Sequence, residues 1–398
     1  MDFKEKIEKL AEKFFQETIE IRRHIHQNPE LSFQEYETSK YVCNKLDEWN
    51  IQYKNNVVST GIVAFIKGKN PDKKLIALRA DMDALPIKED NDFPYKSVNE
   101  GVMHACGHDV HTASLLGAAR ILKELETEIE GTVMLIFQPG EEKLPGGARL
   151  MLEEGIFNDR KPDMVIAQHV LPNLDAGFVG FRPGMYMASC DELFITVKGK
   201  GGHGAIPHQI NDTVLASAHL IVALQQVVSR FAEASVPSVL SIGKVIANGA
   251  TNVIPGEVYM EGTFRTMNEP WRMKAHEKMT TLAKGLMEGM GCEVDFRIEK
   301  GYPVLINDEE TTIKASKLAK EYLGDNHVID LDLRMTAEDF SYFTQLYPCT
   351  FYRLGVNTKG EVSAPLHSSK FDIDEQALKT GIGTMAWLAA SFLYEAKR

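Results

Sequence analysis

The sequence predicts an α/β protein built on a mixed, mostly parallel sheet with helices on both faces, interrupted by an inserted α+β domain. Three observations predict it. Apolar, β-branched runs, GIVAFIKG, KLIALRAD, GTVMLIFQPG and DMVIAQHV, alternate with helical segments such as HTASLLGAARILKELETEI, the order of a parallel sheet with helical crossovers. Near residue 187 the pattern changes to strand, helix, strand, strand, helix, strand, the βαββαβ order of a ferredoxin-like sandwich. The length of 398 residues exceeds what one simple core accommodates, so two domains are expected.

Taken in order, Phe3, Ile7, Leu10, Phe14, Ile21 and Ile25 recur at three- and four-residue steps and predict an amphipathic helix that Pro29 stops. A second helix follows from about Glu35, then the strands named above. The insertion runs through DELFITVKGK, NDTVLASAHLIVALQQVVSRF, SVLSIGKVIA, EVYMEGTFRT, WRMKAHEKMTTLAKGLMEGM and EVDFRIEKG. A helix, the short strand TFYRLGV, the polar loop SAPLHSSKFDIDE and a final helix then complete the first domain. The expected division is 1–186 with 301–398 for the first domain and 187–300 for the insertion.

Composition restricts function. The chain is 44% hydrophobic and 25% charged, the balance of a soluble globular protein. No run of 18 or more apolar residues stands out to span a bilayer, and MDFKEKIEKL carries charge where a signal peptide is apolar. The five cysteines are scattered without a C-x-x-C pair, which signals neither a disulfide framework nor a zinc finger and is consistent with reduced thiols in a cytoplasmic enzyme. A net charge of -12 without a basic stripe argues against nucleic acid and anionic membranes as partners.

In open α/β sheets ligands bind beyond the carboxyl ends of the strands. Unusual residues fall there: Asp81 and Asp83 after LIAL, Glu141 and Glu142 after VMLIF, and His169 after MVIAQ. The stretch HACGHDVHTA adds Cys106, His108, Asp109 and His111 just ahead of a helix. Thiolate and imidazole two residues apart suit zinc and other borderline metals. Taken alone, the stretch also suits a helix start capped by Asp109, or a thiol nucleophile with a histidine base, although no protease pattern supports the latter. Likewise His169 alone reads as a core histidine and His367 as a surface residue. Together, one cysteine, three histidines and paired carboxylates from four segments make the inventory of a two-metal hydrolase.

The motifs IHQNPELSFQE, RADMDALPI, HACGHDVHTA, FQPGEE, GKGGHGAIPH, NVIPGEVYMEGTFRT, TAEDFSYF and LHSSKFDIDE occur in the order of the amidohydrolase branch of the aminoacylase and carboxypeptidase-type metallopeptidases. The chain resembles that branch over nearly its whole length. The resemblance implies a dizinc-exopeptidase-like catalytic domain with an inserted lid and dimerisation domain, and hydrolysis of N-acyl amino acids. It implies that Cys106, His108, Glu142, His169 and His367 hold two divalent cations (Zn, Mn, Ni or Co), that Glu141 is the general base, and that Asp81 supports the site by fixing a ligand histidine. His203, Asn252 and Arg265 fall on positions that touch the substrate carbonyl and carboxylate. Relatives pair through the inserted domain, which implies a homodimer through residues 187–300 with His203 acting in the neighbouring subunit's site. Arg79 replaces a histidine ligand of other branches, while Gly204 and Thr336 depart from the usual alanine and small residue. His24, His26, His111, His208, His219, His276 and His327 are expected to be structural. A dipeptidase or carboxypeptidase of the same family, and a noncatalytic protein stabilised by metal, are the rival readings.

Overall fold

The computed structural model describes residues 2–394, which form two compact units. The larger contains the chain up to Gly184, Ile306–Asp332 and the chain from Asp339. The smaller contains Met185–Leu305 and Leu333–Glu338. The sequence division is corrected in three places: residues 185–186 and 301–305 belong with the insertion, and 333–338 return to it. The physical reason for the return is backbone pairing. The Ala188 amide donates to the carbonyls of Arg334 (3.1 Å) and Thr336 (3.2 Å), and the Arg334 amide donates to the Tyr186 carbonyl at 3.0 Å.

The larger unit is built on an eight-stranded sheet in the order Gln52–Val57, Gly61–Lys67, Thr132–Gln138, Leu75–Asp81, Met164–Asp175, Cys349–Asn357, Val179–Phe181, Val328–Asp330. Leu75–Asp81 runs parallel to both neighbours, and Cys349–Asn357 runs parallel to Met164–Asp175. Leu75–Asp81, Thr132–Gln138 and Cys349–Asn357 are buried at every position, as a sheet covered on both faces requires. Helices Phe3–Gln27, His108–Glu124 and Gln376–Leu393 pack on one another and supply much of that cover. The first buries Ile7, Ala11, Phe14, Ile21 and Ile25, the stripe expected from its spacing.

Two local expectations change. Met164–Asp175 is longer than DMVIAQHV suggests, so His169 lies inside a strand, paired in register with Arg353, and not at its end. The pairing continues past Pro172 only by a shift in register between Gly355 and Asn357. The helix after HACG is not capped by Asp109 either. Its first flanking residue is Gly107, and Asp109 is buried, bound to Arg22 Nε at 2.7 Å and His26 Nδ1 at 2.8 Å.

In the smaller unit a four-stranded antiparallel sheet has the order Ser238–Ile246, Glu257–Thr266, Asp191–Lys198, Glu293–Lys300. Two helices complete the βαββαβ order. Asp212 caps Thr213–Gln226 by accepting from the Leu215 amide (2.9 Å), and Asn268 caps Glu269–Gly289 by accepting from the Trp271 amide (2.8 Å). Their inner faces meet the sheet through Leu220, Leu224, Met279 and Met287 against Leu193, Ile195, Met260 and Phe264. A further correction concerns apolar length. Continued by a π-helical turn, Thr213–Phe231 is long and apolar enough to cross a membrane by length and composition, although Ser, His, Gln and Arg interrupt it. Only 28% of its apolar window is buried, and Val214, Leu215, Val222 and Phe231 are exposed.

Candidate metal centre

Six of the expected site residues meet in the larger unit. Ligand atoms of Cys106, His108 and His169 lie within 4.8 Å of one another, as do those of Cys106, Glu142 and His367, so the two groups share Cys106. A third group joins His108, Glu141 and Glu142 within the same limit.

Each side chain arrives for a local reason. Gly107 has φ +82°, and a Cβ there would fall 2.5 Å from Val170 Cγ2. Glycine alone lets the HACG loop press on the strand of His169 in that left-handed conformation. His367 also has positive φ, +63°, which is unusual for a side chain of its size, and its amide donates to the Ala105 carbonyl at 2.8 Å. That bond ties the loop of residues 363–375 to the residue before Cys106. Glu141 and Glu142 follow the turn that ends Thr132–Gln138, and the Glu142 amide donates to Asp83 Oδ2 at 2.9 Å.

The ring nitrogens are sorted by their partners. His108 Nδ1 faces the Asp83 carbonyl (2.9 Å) and Oδ1 (3.1 Å), and His169 Nδ1 donates to the Val170 carbonyl at 2.8 Å. Both therefore present Nε2 to the site, and His169 Nε2 lies 3.6 Å from Cys106 Sγ. Among the described residues, His108 Nε2 and Glu142 Oε1 are buried without a hydrogen-bond partner. Glu142 Oε1 lies 3.4 Å from His367 Nε2 and 4.0 Å from His108 Nε2. A soft thiol, three imidazoles and a carboxylate converging with unsatisfied lone pairs fit a metal site in donor type and placement.

Electrostatics argues against a thiol nucleophile. Burial, with Glu142 nearby, pushes the Cys106 thiol up, while burial and Arg353 hold His169 well below the usual histidine range. Both shifts oppose a thiolate–imidazolium pair. Elsewhere in the cluster, burial would lower His108, but Asp81 and Asp83 outweigh it and raise it, and the close approach of Cys106 and Glu142 raises His367 to about 10.

The expected role of Asp81 requires correction. Its carboxylate meets Arg79 Nη1 at 2.5 Å and His111 Nδ1 at 2.6 Å, and it lies 3.8 Å from His108 Nε2. Asp83, not Asp81, holds Nδ1 of His108, the candidate ligand. Residues two apart on a strand share a face, so Arg79 captures Asp81, whereas Asp83 lies beyond the strand end and is free to turn toward His108. His111 spends both nitrogens, on Asp81 and on the Val170 amide (2.9 Å), so its closeness to His108 and Asp81 does not make it a ligand. Burial lowers its ring, in keeping with a neutral imidazole that donates at one nitrogen and accepts at the other. Arg79 also bonds Gln138 Oε1 (2.8 Å) and Asp339 Oδ1 (2.7 Å), and the Asp339 amide faces Glu141 Oε1 at 3.4 Å. Asp83, Gln138 and Asp339 were legible only as polar residues at strand ends or in a motif, with no cue to their partners.

The remaining candidates lie in the smaller unit. His203 is exposed and pairs with Val253, and its Nδ1 accepts from the Ala205 amide at 3.1 Å. The neighbouring Gly204 amide donates to the Asn252 carbonyl at 2.8 Å, so His203 and Asn252 are brought side by side. Arg265 is half-buried on Glu257–Thr266, and its Nη1 donates to the Met335 carbonyl at 3.2 Å.

Comparison with known proteins gives this geometry a context. The chain is 42% identical to the N-acyl-L-amino acid amidohydrolase of Geobacillus stearothermophilus, over 77% of this chain and 82% of that one. It is 39% identical to thermostable carboxypeptidase 2 of Saccharolobus solfataricus, over 98% and 99%. The crystal structure of the Bacillus subtilis YxeP protein, a dinuclear metal-binding peptidase of the M20 family, superposes with a TM-score of 0.83 at 35% identity, covering 97% of this chain and 99% of that one. The model of peptidase family M20/M25/M40 matches residues 77–391, and the chain belongs to that family.

Proposed function

We propose that the chain is a hydrolase of linear amides that splits N-acyl amino acids into a carboxylic acid and a free amino acid, with two divalent cations bound per subunit. The observation that carries this reading is the pair of ligand groups sharing Cys106, with Glu141 beside His108 and Glu142. A structural zinc site closes on four ligands and needs no spare carboxylate, which disfavours the noncatalytic alternative. The name of the Geobacillus relative supports the substrate class, and the description of YxeP supports two ions.

Cys106, His108, Glu142, His169 and His367 would hold the cations, a donor set whose thiolate and imidazoles suit Zn, Ni and Co and whose carboxylate suits the harder Mn. Bound there, the cations would supply an acidified water and polarisation of the amide carbonyl. Glu141 takes the proton of the attacking water and delivers it to the leaving nitrogen as the carbon–nitrogen bond breaks. We assign His203 and Asn252 to the substrate carbonyl and Arg265 to its carboxylate, in a charge-assisted contact. The exposed apolar residues Val214, Leu215, Val222 and Phe231 support a homodimer through the smaller unit, with His203 serving the site of a second copy of this chain. A cytoplasmic setting, consistent with five free thiols, completes the proposal.

The carboxypeptidase name of the Saccharolobus relative favours a second reading, cleavage of peptides with a free amino terminus. Amino acid release from N-acetyl, N-benzoyl and indole-acetyl amino acids and from matched peptides, with metal-loaded protein, separates the two. Glu141→Gln is expected to keep its metals and lose turnover by a factor of about 100 or more, while Glu142→Gln loses metal. Turnover confined to the peptides would select the second reading, and a fully active Glu141→Gln would remove the base.

A further inference from the structure

The arm that joins the first two helices, residues 28–35, holds none of the residues assigned above, yet its buried groups are spent on the loop that carries Glu141 and Glu142. Glu35 is fully buried and precedes helix Tyr36–Glu48 without capping it through its side chain. Its Oε1 accepts from two amides, Phe33 (2.9 Å) and Gly140 (2.8 Å), and its Oε2 accepts from the Thr60 hydroxyl at 2.7 Å. Phe33 and Gly140 are both left-handed, at φ +65° and +60°, and a Cβ on Gly140 would lie 2.4 Å from the Phe33 ring. A phenylalanine in that conformation persists only where its surroundings hold it there, and Glu35 holds its amide.

The Gly140 carbonyl accepts from the Gly147 amide at 3.0 Å. Both peptide planes flanking Gly140 are thus pinned, the first by Glu35 and the second by Gly147, and the next Cα along the chain is that of Glu141. The arm treats Glu142 separately. Ser32 Oγ donates to Asp83 Oδ2 at 2.6 Å, the oxygen that also takes the Glu142 amide.

We propose that Glu35 is a positioning residue for Glu141: through the Gly140 amide it sets the turn from which Glu141 leaves the strand Thr132–Gln138. The inference rests on the reading of Glu141 as general base. It requires an acceptor at the position of Oε1, not a negative charge. Burial and the nearby Asp83 push the Glu35 carboxyl up to about 7, and the protonated form keeps Oε1 as acceptor for both amides while Oε2 donates to Thr60. Glutamine reproduces that arrangement, with its amide nitrogen donating to the Thr60 hydroxyl. Aspartate keeps the charge but falls one methylene short.

The test compares full-length, metal-loaded Glu35→Gln and Glu35→Asp for kcat, KM, metal content and hydrogen exchange of the Gly140 amide. Glu35→Gln is expected to stay within about threefold of wild type, and Glu35→Asp to lose about 10- to 100-fold in kcat with KM and metal content held, because small misplacement of a reacting group costs that much. Exchange at Gly140 should quicken in Glu35→Asp only. In a Glu141→Gln background, Glu35→Asp should cause little further loss, the signature of action through one group. Equal losses in both backgrounds, an active Asp variant with a dead Gln variant, or a kcat loss that follows metal content would each overturn the proposal. Wild-type turnover in Glu141→Gln alone would sink the base reading and, with it, the kinetic role. Exchange at Gly140 then still judges the clamp, and no change there in Glu35→Asp overturns it. Should Glu35→Asp fold poorly, Thr60→Val, which removes only the hydroxyl holding Oε2, is expected to lower kcat by about threefold in the same direction, and an unchanged kcat there counts against the role.

Discussion

In the larger unit the strand Leu75–Asp81 is buried at every position, Arg79 and Asp81 included, whereas in the smaller unit Asp191–Lys198 is fully buried only at alternate residues. A sheet covered on both faces leaves its polar side chains no water, so each must find a partner inside the protein. Arg79 illustrates the result, holding Gln138, Asp81 and Asp339 in one dry array. A sheet with one open face confines that pressure to its covered positions, as at Asp191, which is buried and accepts from Arg272 Nε at 2.9 Å. Of the smaller unit's candidate substrate residues, Arg265 on that sheet is half-buried, while His203 and Asn252, on and beside a separate two-stranded sheet, are exposed. The difference teaches that the candidate metal cluster, which needs fixed geometry, is built where burial dictates pairing, and the candidate substrate groups where it does not.

Three experiments would break or sharpen that contrast. The largest effect is expected from Arg79→Leu, which leaves Asp81 and Asp339 buried without their cation and should cost about 3–5 kcal/mol in denaturant unfolding. Its counterpart in the smaller unit, Arg297→Leu, removes an exposed pair with Glu299 and the guanidinium over the Phe194 ring, and should change stability by no more than about 1 kcal/mol. Similar losses in both would erase the distinction.

Next comes Asp83→Ala, which takes the carboxylate from His108 Nδ1, leaving it the backbone carbonyl, and frees the Glu142 amide and the Ser32 hydroxyl. Metal titration should show affinity lowered by about 10- to 100-fold, while His203→Ala binds metal as wild type does. If Asp83→Ala bound metal normally, the hydrogen bonds around the ligands would be incidental to the site.

The smallest change is read by mixing inactive Glu141→Gln and His203→Ala proteins after mild dissociation. If His203 serves a second copy, random equal mixing creates dimers with one intact site and restores about a quarter of wild-type activity. A mixture that stays inactive after verified exchange would place His203 in the service of its own chain.

The sequence carried much of this in its periodicity. Continuous apolar runs of four or five residues marked the covered strands, the three- and four-residue steps from Phe3 marked the first helix, and the change near residue 187 marked the insertion. Donor chemistry was legible as well, because a cysteine, histidines and paired glutamates are identifiable by type and by their place after strands. Partner identity was not legible. RADMDALP offers two aspartates of equal chemistry, and only their directions distinguish Asp83, turned to His108, from Asp81, turned to Arg79 and His111. Glu35 reads as the start of a helix, although its contact with Gly140 spans 105 residues.

Sequence by itself therefore determined the elements, their order and the set of side chains able to bind metal. These depend on burial periodicity and on chemistry carried by each residue. Tertiary structure alone decided that His169 sits within a strand beside Arg353, that 333–338 returns to the smaller unit, and which oxygen meets which nitrogen. The physical reason is range. Hydrophobic burial is non-directional and survives as a pattern along the chain, whereas a hydrogen bond or metal ligand needs placement to within tenths of an ångström between segments far apart in sequence.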